Sequence, residues 1–468
     1  MTDNISTDAP SPVQAYSALP QGLLGGVIEA AWLSSARPVR PFAMAAGIGA
    51  FCSLASRSFN IKGQGLNQYI IGIGSTGSGK DIIQSFPDLM FNAIKASVPA
   101  AADFRGPSEL VSAQGMARAF DRSKTKSLLC TVGELAMLAA EMAKPNASPN
   151  AAGIQRFLLQ IYSKSGRGMS LGEQAYSDNQ RTIPVIPSPT LTLMGEGVAE
   201  TFNAQLDRLM SGGLIPRFMV FEYNGEQVPL SSTFDHFSFD PALIQHLADL
   251  AGASLQHAHI GAAQDVAISP KALATLNAFE EHARLSLNGA TNEGARHAWN
   301  RGHLKALKLA ALCAVGINHN APEIDPATAQ WATDLINLQT LNILAKFDNG
   351  EAGEAAGNQT LQEREIINVI ADYVTKPWSI CCKYHGTEAM HEAAVITQAH
   401  ISQRVYVRKA FKHDPRGAKD AVTRTIKSLL EADTIREIPQ SQMIKDFGKH
   451  PRAFAISDPA AIIKDIKR

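Results

Sequence analysis

An excess of one charge sign is missing from this sequence: Lys and Arg number 43, and so do Asp and Glu. The chain as a whole therefore carries no field that would pull it onto a polyanion or an anionic membrane, and any basic surface must be local. Charged residues make up only 18% against 45% hydrophobic, which excludes a disordered, self-repelling scaffold and leaves enough apolar material for packed cores. No run reaches the 18 to 20 or so apolar residues of a membrane span; the nearest is the alanine-rich stretch from Ala43 to Leu54. The five cysteines are scattered and odd in number, and no basic start leads into an apolar signal segment, so a reducing cytoplasm without structural disulfides is expected. Internal repeats and long low-complexity tracts are absent as well.

What is present divides by pattern. At 468 residues the chain is too long for one ordinary core, and two or three units are expected. Residues 1–60 read as a loose tail followed by a helical preface, near Leu23 to Ser34 and Pro41 to Ser56. Across 61–236, short apolar runs alternate with helices: Tyr69–Ile73, Leu128–Val132, Thr190–Met194 and Phe218–Phe221 are the strand candidates of an α/β unit with a mainly parallel sheet. Residues 237–347 have helical spacing throughout and suggest a helical lid. A polar, Gly-bearing stretch, DNGEAGEAAGNQ, predicts a linker over 348–360, ahead of a last unit, 361–468.

The most specific motif is GSTGSGK, from Gly74 to Lys80, set directly after the apolar strand QYIIGI and before a helix beginning DIIQSF. That is the context a phosphate-binding loop requires. Gly74, Gly77 and Gly79 let the backbone curl with its N–H groups inward, Ser75, Thr76 and Ser78 complete the loop, and Lys80 neutralises terminal phosphates. The next position, where a Ser or Thr hydroxyl ordinarily meets Mg²⁺, is Asp81; its carboxylate could hold the metal but also adds negative charge, which leaves binding without fast hydrolysis open. An acid at the end of a second buried strand is the other requirement, and SLLCTVGE supplies Glu134 as general base and metal contact, with Gly133 where a companion acid is usual.

Glu196 or Thr192 on the strand SPTLTLMGEG could sense a terminal phosphate. Arg217, in GGLIPRF, could complete a site in its own or a neighbouring subunit. Arg181, Lys305 and Lys308 are further candidates for phosphate or subunit contacts, and Arg156, Lys164 and Arg167 for a nucleic-acid backbone inside a ring channel.

Leu19 to Lys80 (LPQGLLGGVIEAAW, a helical region, then YIIGIGSTGSGK), with VGEL at Val132, the PTLTLMGEG strand and the GGLIPRF turn, resembles the primase-associated helicase-like family of phages and prophages. The resemblance covers Leu19 to about Phe347. It implies a RecA-like core, ATP and Mg²⁺ as cofactors, a homo-oligomeric ring such as a hexamer, a separate primase as partner, and a helicase role on single-stranded DNA in the replication of a mobile element. A nucleotide-gated initiator or helicase loader, or a regulatory or defence ATPase, is the alternative.

From Leu361 to Arg468 there are 18 Lys or Arg against 13 Asp or Glu, a local surplus that the whole chain conceals. The layout resembles a winged helix: helices over EREIINVIADYV, AHISQRVYVRKAFK and AKDAVTRTIKSLLEAD, then wing strands TIREIP and RAFAIS. Lys419, Arg424 and Lys427 would face duplex DNA, with Arg404, Arg408 and Lys409 on phosphates; docking to protein is the competing use. Cys381, Cys382, His385 and His391 are spaced CCxxHxxxxxH, without the separated ligand pairs of structural zinc sites, so no metal is expected there.

Overall fold

A computed structural model describes residues 16–458 apart from 145, 176–181, 291–292, 349–353, 413, 415–416 and 432, with the side chains of 348, 354–361 and 409 also outside the description. The chain divides into two compact units, Met1–Asn349 and Gly350–Arg468.

The first unit is a mixed α/β body built on a four-stranded parallel sheet. Its strands are β1 (Tyr69–Gly74), β2 (Ser127–Val132), β3 (Thr190–Gly197) and β4 (Phe218–Tyr223), in spatial order β2-β3-β1-β4. All but the last two residues of β4 are buried, so these strands read as near-continuous apolar runs without alternation, as sheets covered on both faces do. Register is fixed by Gly72 opposite Glu196, Tyr69 opposite Phe218 and Val132 opposite Gly195.

Helices α1 (Leu23–Leu33) and α2 (Arg40–Ala55), expected as a separate preface, are part of this body. Every residue of α2 from Pro41 to Ala55 is buried, because α2 packs against all four strands on one side and against α1 and α3 (Ile82–Lys95) on others. A helix apolar all round is an interior helix. Gly49 explains how closely it lies: a Cβ there would stand 2.7 Å from the Met194 sulfur. On the opposite face, α4 (Leu135–Ala143) and α6 (Ala199–Ser211) pack on each other and on β3 and β1, with α5 (Pro149–Ile161) against α4.

The helices expected as a lid do not form a body of their own. α7 (Pro241–Ile260) and α8 (Gly302–Ile317) pack on α1 and α2, and α9 (Pro326–Asp348) packs on α8 and reaches β4, where Lys346 pairs with Glu222 at 3.1 Å. One apolar cluster runs from Leu24 through Phe42 and Ile70 to Leu312 and Ile336, so preface, sheet and lid share a core. Nor is the linker as long as expected: α9 runs to Asp348 and α10 (Glu354–Thr375) starts at Glu354, leaving 349–353, which lie outside the described residues.

The second unit is α10, β5 (Val395–Thr397), α11 (Gln398–Val405), α12 (Ala418–Glu431), β6 (Ile435–Glu437) and β7 (Ala453–Ile456), an antiparallel sheet in order β5-β7-β6. The second expected helix is broken, ending at Val405 and resuming at Lys409–Lys412. Additional to the expected set are the short helices Trp378–Cys381 and Glu388–Glu392, the short strand β5, and the helix Gln440–Phe447 between the last strands. Ile366, Ile370, Ile401, Val422, Ile426 and Phe454 form its core.

Candidate functional site

The connections of the sheet define where a site belongs. From β1 the chain passes into α3 on the α2 face, whereas from β3 it passes into α6 on the other face, and β1 and β3 are neighbours. A crevice therefore opens beyond the carboxyl ends of these two strands, the place where open α/β sheets bind ligands.

Gly74 to Lys80 occupies that crevice. Gly77 and Gly79 have φ of 74° and 87°, values that L side chains seldom adopt, and a Cβ on Gly79 would lie 2.3 Å from the Arg37 carbonyl. Lys80 is only 9% exposed and turns back so that its Nζ donates to the Gly74 carbonyl at 3.4 Å, a long bond that a stronger acceptor would displace. The buried Ser78 hydroxyl has no protein partner. Gln227 donates to the Gly77 carbonyl at 2.9 Å, and Arg37 donates to the Val228 carbonyl, so two strands of loop brace the cradle. Positive-φ glycines, an orphaned hydroxyl and a weakly held lysine are together suited to a polyphosphate.

Three carboxylates converge beside it. Asp81 is exposed, immediately before α3. Glu134 is exposed at the end of β2 and is left-handed, at φ 49° and ψ 42°, where it caps α4. For a residue with a Cβ that conformation costs about 1–2 kcal/mol, and such outliers gather at functional positions. Glu196 ends β3, 9% exposed, with Oε1 accepting from Gln84 Nε2 at 2.8 Å and Oε2 without a partner. Burial pushes the Glu196 carboxyl above the usual carboxylate range; Gln84 and Lys80 oppose the shift, while Glu134 and Asp81 add to it. The glycines flanking Glu196 have a packing cause. A Cβ on Gly195 would meet the Val132 carbonyl at 2.3 Å, and one on Gly197 would meet Ala136 at 2.1 Å, because the start of α4 crosses β3 there.

Several expected residues are elsewhere. Arg217 precedes β4, whose Phe218 is level with Tyr69 at the start of β1, so it lies at the opposite end of the sheet, roughly 20 Å from the loop at ~3.3 Å per residue. It cannot serve the phosphate site of its own subunit. Its guanidinium donates to the Gly213 carbonyl and lies 5.9 Å from the Tyr162 ring centroid. Thr192 is four positions before Glu196 and its hydroxyl meets Cys52 Sγ at 3.3 Å, which removes it as a phosphate sensor.

Lys305 and Lys308 are buried, not presented to phosphates or subunits. Lys305 donates to the Phe218 carbonyl at 3.0 Å; Lys308 donates to Asn67 Oδ1 at 2.8 Å and lies 4.4 Å from the Tyr162 ring centroid. Burial lowers their pKa values to about 8 and about 7. Arg167 pairs with Asp265 at 3.0 Å. Arg156 is exposed on α5 and Lys164 half-buried beyond it, while Arg181 lies outside the described residues.

In the second unit, Arg408 pairs with Glu365 at 2.7 Å, and Arg424 is forked between Asp414 at 2.8 Å and Asp420 at 2.9 Å. These two charges are neutralised within the unit. Arg404, Lys419 and Lys427 are exposed, Lys427 within 3.7 Å of Glu431, and the Lys409 side chain lies outside the described residues. Part of the basic surplus, Lys464, Lys467 and Arg468, also lies beyond the described residues. His391 donates from Nε2 to the carbonyls of Tyr373 and Lys376, at 2.8 and 3.0 Å, so this ring nitrogen is committed to the fold.

Gln84 is the site residue that sequence reasoning missed. It stands four positions after Lys80, on the same helical face, but a glutamine in a first turn carries no chemical signature of its own.

No family model matches the chain, and a search of curated proteins finds no match. Among solved structures, a Drosophila ORC bound to DNA is similar at 14% identity, over 100% of this chain and 96% of that one, with a TM-score of 0.21. A superposition that loose establishes no common fold. Among the described residues, no helix is long and apolar enough to cross a membrane.

Proposed function

We propose that the chain is a P-loop ATPase of RecA-like build. The observation that carries this reading is the loop Gly74–Lys80 between β1 and α3, at the crevice where Glu134 and Glu196 end the neighbouring strands. The loop amides, the Ser78 hydroxyl and Lys80 would hold the phosphates, and Asp81, immediately before α3, would help to hold Mg²⁺ beside them. ATP supplies a phosphoanhydride whose hydrolysis can drive movement. Glu134, exposed at the strand end, takes the proton from the attacking water on its carboxylate.

Three helices and an antiparallel sheet in order β5-β7-β6 support a winged-helix reading of the second unit, with Arg404, Lys419 and, despite its pairing with Glu431 at 3.7 Å, Lys427 as exposed cations. With the family resemblance, this favours a ring-forming translocase on single-stranded DNA in mobile-element replication, working with a primase. A second reading, a nucleotide-gated initiator or loader that binds ATP without translocating, is favoured by Asp81 in place of a hydroxyl and by Arg217 facing away from its own site.

ATP binding by calorimetry and hydrolysis with and without single-stranded DNA separate these. Binding lost in Lys80→Ala together with DNA-stimulated turnover supports the motor. Tight binding with no turnover and a preference for one duplex supports the initiator, and no binding by the wild-type protein rejects both.

A further inference from the structure

If Gly74–Lys80 is a nucleotide site, as proposed above, a divalent cation has to be held beside the phosphates. Mg²⁺ is held by oxygen ligands, commonly one or two carboxylates together with the phosphates of its substrate. After the second strand, Gly133 has no side chain to offer. An ideal Cβ at Gly133 would stand 3.5 Å from both the Oε1 and Nε2 atoms of Gln84. That same amide donates to Glu196. The Gln84–Glu196 pair therefore borders the space that an acid at 133 would use, and Glu196 is the residue on β3 next after Gly195, which is level with Val132.

An acidic cluster alone would say little. Glu196, however, is nine-tenths buried with one carboxylate oxygen unpartnered, and it feels the charges of Lys80, Asp81 and Glu134. Three carboxylates and a polyphosphate would face one lysine, and that excess of negative charge calls for a divalent cation. We propose that Glu196 supplies the metal-holding carboxylate that Gly133 lacks, gripping the nucleotide's divalent cation jointly with Asp81. Gln84 is a positioning residue: it fixes Oε1 and leaves Oε2 for the cation. Glu134 is then released from metal duty to act on water.

The test uses the full-length protein with a fluorescent methylanthraniloyl derivative of ATP and with Mn²⁺ followed by electron paramagnetic resonance. In EDTA, Glu196→Gln should bind the nucleotide as well as the wild type does, or better. With nucleotide present its Mn²⁺ affinity should fall roughly 10- to 100-fold, and adding Gly133→Asp should recover much of the loss, since contacts at 3.5 Å leave room for the side chain. Asp81→Asn, at an exposed position, should show the same fall and covers the case in which Glu196→Gln does not fold. Mn²⁺ affinity within about twofold of wild type in a folded Glu196→Gln protein overturns the assignment, and loss of hydrolysis alone would make Glu196 a phosphate sensor instead. A wild-type protein that binds no nucleotide in EDTA or in Mn²⁺ would instead reject the loop reading itself.

Discussion

Gln84 Nε2 lies 2.8 Å from Glu196 Oε1, joining the first turn of α3 to the end of β3 at the lip of the phosphate loop. The bond links the element that would carry the nucleotide to the strand beside the general base. The chemistry and the stability of this corner are consequently coupled.

Glu134 illustrates the coupling. Glu134→Gln should reduce ATP turnover by about 10² to 10⁴-fold with nucleotide affinity retained, as removal of a general base does. Glu134→Gly should abolish turnover as well but raise the melting temperature by a degree or more, since glycine accepts φ 49° without the ~1–2 kcal/mol penalty. Steady-state assays and calorimetric melts on the two proteins would show it; a glycine variant that melts lower than the glutamine variant contradicts the strain argument.

Arg217 should behave as a structural residue within its own subunit. Arg217→Ala should lower the melting temperature by several degrees, because it strips a partly buried donor from the Gly213 carbonyl. Turnover under dilute, monomeric conditions should stay within about twofold. A selective collapse of turnover that appears only on assembly would instead assign it to a neighbour's site.

The buried lysines make stability depend on pH. Lys308 has a folded-state pKa of about 7, below the roughly 10.4 of an exposed lysine, so the unfolded chain binds the extra proton between those values. The penalty for burying the charge is complete below pH 7 and is relieved as the pH rises, at up to ~1.4 kcal/mol per pH unit. Denaturation of the wild type between pH 6.5 and 9 should therefore show stability rising, more steeply than in Lys308→Met. Parallel slopes would mean that Lys308 is not deprotonating in the folded protein.

Cations of the second unit should separate into two groups. Arg404→Ala with Lys419→Ala should weaken DNA binding and flatten its salt dependence. Arg424→Ala should mainly destabilise the unit, because Asp414, whose side chain is 5% exposed, would keep the Gln362 amide at 2.9 Å but lose the guanidinium that neutralises its charge. Fluorescence anisotropy at several salt concentrations, set beside thermal melts, distinguishes the groups, and an unchanged salt slope in the double variant would remove DNA from the account.

How much of this could be read from the residues alone follows physical lines. The four strands were legible because each is a short apolar run bounded by polar or glycine residues, and the loop because GSTGSGK combines glycine geometry with a lysine in one window. Arg217 misled because closeness to a strand in sequence does not say which end of the sheet it marks; only the register of Phe218 with Tyr69 does. Lys305 and Lys308 misled for the opposite reason: basic residues in an apolar helix are usually solvated, and here α8 is buried on nearly every side. Pairing in the second unit depends on residues far apart, such as Glu365 with Arg408, which composition cannot reveal.

The burial of α2 on all sides has a consequence for biosynthesis. Its apolar surface leaves the ribosome long before β4, the last strand to cover it, and at ~5–20 residues per second that interval is about ten to thirty seconds. During that time the nascent chain carries an interior helix with no interior around it, and its yield in a cell should depend on chaperones that shelter the first sixty or so residues until the sheet closes over them.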